Sequence, residues 1–169
     1  DLYIAGTRLR LRKVTASNGT GVEYKLNQKL ERDASHRLVT SMYLTAAEYS
    51  RLSQLPGRRI AKRRYHHRWN DVEYAVDAFD GALAGLVLAE AEAQSDTELD
   101  ALSPPPHAHA EVTHRPDFAG GRLAVTAAEA SLALARSLLP GAPLPAHPVV
   151  LAMRRLRASD PAVIERAFL

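Results

Sequence analysis

The chain has 169 residues, 46% of them apolar, enough for one domain with its own core. It contains no cysteine, which excludes a disulfide framework, a thiolate metal centre and a cysteine nucleophile, and which suits a reducing cytoplasm. A net charge of +3 conceals an asymmetry, since residues 1–68 carry 15 Lys or Arg against 5 Asp or Glu and residues 69–169 carry 7 against 14. Alternation over residues 7–15 and 22–30, on either side of the turn cluster Ser17-Asn18-Gly19-Thr20-Gly21, predicts a hairpin. Residues 37–44 read as a third strand. Thr45 with Glu48 is a capping-box pattern opening a short helix that Leu55-Pro56-Gly57 closes. Strands follow over 58–66 and 72–79, and Asp80-Gly81 turns the chain into another over 86–93.

From Ser95 the pattern changes. Ser95-Asp96-Thr97-Glu98 caps a short helix ending near Leu102, Pro104-Pro105-Pro106 stops it, and 111–113 reads as a last short strand. Gly120-Gly121 reads as a turn. Thr126 with Glu129 predicts a second capping box opening a helix to Leu139, and residues 149–169 read as one or two amphipathic helices. The most apolar stretch, 82–89, is too short to span a bilayer, and no targeting segment is visible, so the expectation is a cytoplasmic protein without a membrane partner. The fold class is α+β: an antiparallel sheet or barrel of six or seven short strands with helices outside, the alternative being an open sheet whose charged face is wet.

Two strands carry charge of one sign on one face. Alternate side chains of a strand share a face, so Arg8, Arg10 and Arg12 lie together, and so do Glu90 and Glu92. Like charges side by side repel, which calls for compensation: a polyanion on the arginines and a divalent cation on the glutamates. The competing reading of the arginines is a solvated edge strand guarded by charge. Lys62 and Arg64 also share a face, with Arg63 on the other. These cations recur at strand period with few aromatics between them, so no nucleic-acid partner is expected. His66-His67, His107-x-His109 and His114 invite a zinc reading, but they lack a fixed helical or strand spacing. No nucleophile elbow and no Gly-rich phosphate loop are present.

Several segments then fall into one order: Arg10-x-Arg12, Glu23-Tyr24-Lys25-Leu26-x-x-Lys29, Gly57-Arg58-Arg59-Ile60-x-Lys62-x-Arg64-Tyr65, Asp77-x-Phe79-x-Gly81, Leu86-x-Leu88-Ala89-Glu90-x-Glu92, and Pro104-Pro105-Pro106 ahead of Glu111-Val112-Thr113. Over residues 3–124 the chain resembles the CYTH superfamily of triphosphate tunnel metalloenzymes, whose members include inorganic triphosphatases, thiamine triphosphatases and class IV adenylyl cyclases. The resemblance implies an eight-stranded antiparallel β-barrel over 1–124, with a helical extension over 125–169 packed on it. It further implies metal-dependent hydrolysis of a triphosphate, inorganic triphosphate first. Arg10, Arg12, Lys29, Arg37, Lys62 and Arg64 would hold the phosphates, and Glu90, Glu92 and Asp77 would hold Mg²⁺ or Mn²⁺. The alternatives are a non-catalytic binder of polyphosphate or nucleotide, and a cyclase.

The sequence departs from the family pattern in two places. The Glu-x-Glu-x-Lys strand that opens the family's barrel has no counterpart before Asp1, so the chain is expected to be a fragment or to have lost that strand. Its barrel would then be incomplete, its open edges would invite a homodimer, and turnover by this chain alone would be slight. After Arg37, Val39 and Ser41 stand where many triphosphatases carry a second Glu-x-Glu.

Overall fold

The computed structural model describes residues 1–31, 37–138, 150–154 and 166–168. Eleven strands and four helices appear among them, and the class is α+β. One sheet has the order β4-β3-β2-β1-β5, built from β1 (Leu2–Ile4), β2 (Leu9–Thr15), β3 (Val22–Glu31), β4 (Arg37–Leu44) and β5 (Gly57–Arg59). The other has the order β6-β7-β8-β11-β10-β9, from β6 (Lys62–Trp69), β7 (Val72–Phe79), β8 (Leu86–Ala91), β9 (Ala110–Glu111), β10 (Val150–Arg154) and β11 (Arg166–Phe168). Every pairing is antiparallel except those of β10 with β8 and with β9.

A single segment joins the two sheets. Ile60 still donates its N–H to the Asp1 carbonyl, 2.9 Å, on the β1 side, whereas the next residue, Ala61, accepts from Asp80 N–H, 2.9 Å, on the β7 side. The strand expected over 58–66 is therefore split at Ile60–Ala61, where its pairing partner changes. Among the described residues no pairing joins β4 to β9, so the described strands do not form a closed barrel.

Local chemistry explains the connections. Asn70 and Asp71 both take positive φ, +46° and +61°, the geometry a two-residue hairpin between β6 and β7 needs, and these residue types tolerate it. Before helix α1 (Ala46–Leu52), Glu48 N–H donates to the Thr45 hydroxyl while Thr45 N–H donates back to the Glu48 carboxylate, a complete capping box. Behind the first sheet, Leu2, Ile4 and Leu11 pack with Tyr49 and Leu52 of α1. Behind the second, Tyr74, Val87, Ala89 and Ala91 pack with Leu99 of α2 (Asp96–Ala101).

Three expectations require correction. Thr126 does not cap α4 (Ala128–Ser137), whose N-cap is Ala127; it closes a separate short helix, α3 (Gly120–Val125), where a turn was expected. Residues 150–154 and 166–168 are strands rather than helices, because the apolar run Val150–Met153 finds a partner in β8, pairing in parallel from Val150↔Leu86 to Met153↔Ala89. The expected helical extension is thus helical at α4 and strand at β10 and β11, and residues 139–149, 155–165 and 169 lie outside the described residues.

Candidate functional site

Strand register decides which charges meet. On β6 and β7 the pairs Lys62↔Phe79, Arg64↔Asp77 and His66↔Ala75 share one face, which continues onto β8 as Leu88 and Glu90 through Asp77↔Leu88 and Ala75↔Glu90. On β2 and β3 the pairs Arg10↔Asn27 and Arg12↔Lys25 share a face with Lys29, two residues beyond Asn27. The two faces look into one cavity of about 340 Å³, lined by Arg8, Arg10, Arg12, Lys29, Lys62, Arg64 and Glu90. Apolar Ile60, Phe79, Leu88 and Phe118 also line it and belong to the core cluster under α3 and α4.

The cations are held by carboxylates set behind them. Asp77 is fully buried, receives two hydrogen bonds of 2.7 Å from the Arg64 guanidinium, and is ion-paired to Lys62. Burial alone would raise the Asp77 pKa, but the Arg64 hydrogen bonds and the Lys62 and Arg64 charges outweigh it, so the carboxyl titrates below its usual range. Lys62 is pushed the other way, below the usual lysine value, chiefly by its own burial. Arg64 also reaches Glu90 at 3.0 Å. Across the cavity Arg12 forks onto Asp1 at 2.7 and 3.0 Å, and Arg10 stands 3.9 Å from the same carboxylate. The Arg10 Nε and the Asn27 Oδ1 are buried and, among the described residues, have no hydrogen-bond partner.

Of the residues singled out from sequence, Arg10, Arg12, Lys29, Lys62, Arg64 and Glu90 come together in this cavity, as does Arg8. Arg63 points away and pairs with Asp80 at 3.1 Å, as alternation implies. Arg37 opens β4 opposite Glu31, and its side chain lies outside the described residues. Val39 and Ser41 fall opposite Lys29 and Asn27. Glu92 lines a neighbouring cleft, shared with Glu73, Glu98, Arg64 and Glu90, rather than the cationic cavity.

Both oxygens of Asp77 are engaged by Lys62 and Arg64, so in this structure it stands as the counter-ion of the two cations. Sequence reading missed Arg122, the third residue of α3, which also lines the cationic cavity; the Gly-Gly that suggested a turn hid the helix carrying it. Among the histidines, His66 contacts Glu73 at 2.7 Å, and the rings of His67 and His107 pack edge to face at 5.0 Å.

Glu90 and Glu92 keep a limited but chemically suitable capacity for a hard divalent ion. Both border the second cleft, and Glu90 also faces the cationic cavity. Among the described residues no group of three or more His, Asp or Glu converges on a metal position. Two carboxylates suit a hard divalent ion that keeps part of its water shell, not a cage built from protein alone. Compared with known protein families, with curated proteins and with solved structures, the chain shows no match.

Proposed function

We propose that the cavity binds a linear polyphosphate, triphosphate first, and that the chain belongs to a metal-dependent triphosphatase. The observation that carries this reading is the convergence of Arg10, Arg12, Lys62 and Arg64, from two sheets, on one cavity. A polyanion there compensates cations that would otherwise repel, and arginine's planar donors suit phosphate oxygens in pairs. Arg10 and Arg12 hold the chain from one side, Lys62 and Arg64 from the other. Together they neutralise charge on the phosphate oxygens as water attacks a terminal phosphorus in line and the anhydride P–O bond breaks, giving phosphate and pyrophosphate. Glu90 and Glu92 would hold Mg²⁺ or Mn²⁺, which when bound polarises the phosphoryl oxygens. Placing a tunnel around this chemistry is part of the same proposal.

The second reading, a polyphosphate binder without turnover, is favoured by one specific observation: the commitment of Asp77 to its two cations, which leaves two glutamates as metal ligands. Phosphate release from triphosphate with Mg²⁺ or Mn²⁺ separates the two. The enzyme reading predicts release that Glu90→Gln abolishes while triphosphate binding persists in chelator. Binding without any metal-dependent release by the wild-type chain would select the binder.

A further inference from the structure

The cavity contains a cation that the sheets do not supply. Arg122 comes from α3, and its position follows from how that helix is seated. Phe118 before it and Leu123 within it are each 2% exposed, anchored in the core that includes Ile60, Phe79 and Leu88. Gly120 rests on β1 so closely that a Cβ there would overlap the Tyr3 hydroxyl. The backbone bearing Arg122 is thereby fixed against the wall that carries Arg10, while its side chain is exposed.

Deeper in the cavity, Arg12 is committed to Asp1, Lys62 to Asp77, and Arg64 to Asp77 and Glu90. Arg8 and Arg122 differ: both are exposed, and among the described residues neither side chain makes a hydrogen bond or an ion pair. Two exposed guanidinium groups from different elements therefore line a cavity in which Arg12, Lys62 and Arg64 already have carboxylate partners.

We propose that Arg122, together with Arg8, binds the distal phosphate of a chain of three or more phosphates and so sets the minimum length the site accepts; this rests on the polyphosphate reading above. Pyrophosphate is satisfied by the inner arginines and Lys62. The third phosphate reaches the mouth, where a guanidinium without a protein partner offers its full bidentate capacity.

The test is titration calorimetry on the full chain, in chelator, with triphosphate and pyrophosphate as probes. Arg122→Ala is expected to weaken triphosphate binding about tenfold and to change pyrophosphate binding by less than about twofold, with an unchanged melting temperature because the side chain is exposed. Arg122→Lys should recover part of the loss by restoring charge without the planar fork. Equal weakening of both probes overturns the distal assignment. No weakening of either, while Arg10→Ala weakens both, overturns a binding role for Arg122 and leaves the polyphosphate reading standing. If Arg10→Ala also has no effect, that reading fails and this inference goes with it.

Discussion

On the wall formed by β6, β7 and β8, Lys62 and Arg64 face Asp77 and Glu90, two cations against two carboxylates; on the wall formed by β1 and β2, among the described residues, Arg10 and Arg12 share the single carboxylate of Asp1, with Arg8 beside them. The first wall is electrostatically complete before any ligand arrives, so its side chains are preorganised by the protein's own charges. The second carries an excess of positive charge. In the proposed polyphosphate reading, rigidity and affinity are divided between the two sides: the β6 wall would fix where phosphate oxygens sit, and the β2 wall would supply most of the unspent attraction.

The largest expected effect would break the comparison on its rigid side. Asp77→Asn removes the counter-ion of two cations and should lower stability by about 3–5 kcal/mol, as loss of one partner from a buried ion pair does; chemical denaturation measures it. The same residue gives a pH signature. Its folded pKa lies below the ordinary carboxylate value, so its contribution is fully present above the unfolded pKa and is lost as pH falls through the folded one. Wild type should lose stability in that acidic window more steeply than Asp77→Asn. Equal slopes would remove Asp77 as the organiser of this wall.

A smaller effect is expected behind the other wall. Thr45→Ala breaks the capping box of α1, which packs behind β2 and β3, and should cost about 1 kcal/mol in a thermal or denaturant melt while leaving triphosphate affinity unchanged. A parallel loss of affinity would mean that the β2 wall depends on that helix for its geometry. Smallest is the effect of Glu90→Gln on metal-free binding. Freeing Arg64 from one carboxylate should tighten triphosphate by a few-fold in calorimetry, because an anionic neighbour of the anion is removed. Weaker binding would show that Glu90 is needed to orient Arg64.

What the sequence made legible follows from what strand alternation can encode. The strands over 37–44 and 72–79 and the Thr45–Glu48 box are purely local patterns, and they stand where they were expected. The pairing of Lys62 with Arg64 on one face is equally local. The role of Asp77 is not, because it depends on the register Arg64↔Asp77 across a hairpin. Glu90 and Glu92 alternate correctly, yet β8 ends at Ala91, and Glu92 lines the neighbouring cleft. Arg122 was hidden because a Gly-Gly pair ordinarily signals a turn; here Gly120 lies inside a helix against the Tyr3 hydroxyl, a contact between residues 117 apart in sequence. The strand at 150–154 was misread as helix because a short apolar run carries no period of its own, and only its β8 partner settles its conformation.

The most direct measurement is titration of triphosphate into the full chain and into Arg10→Ala, in chelator, at low and at high salt. The account predicts that wild type binds, that binding weakens as salt rises, and that Arg10→Ala weakens it about tenfold or more with an unchanged fold. Binding equally tight in Arg10→Ala, or indifferent to salt, would contradict the claim that the two cationic walls close on a polyphosphate.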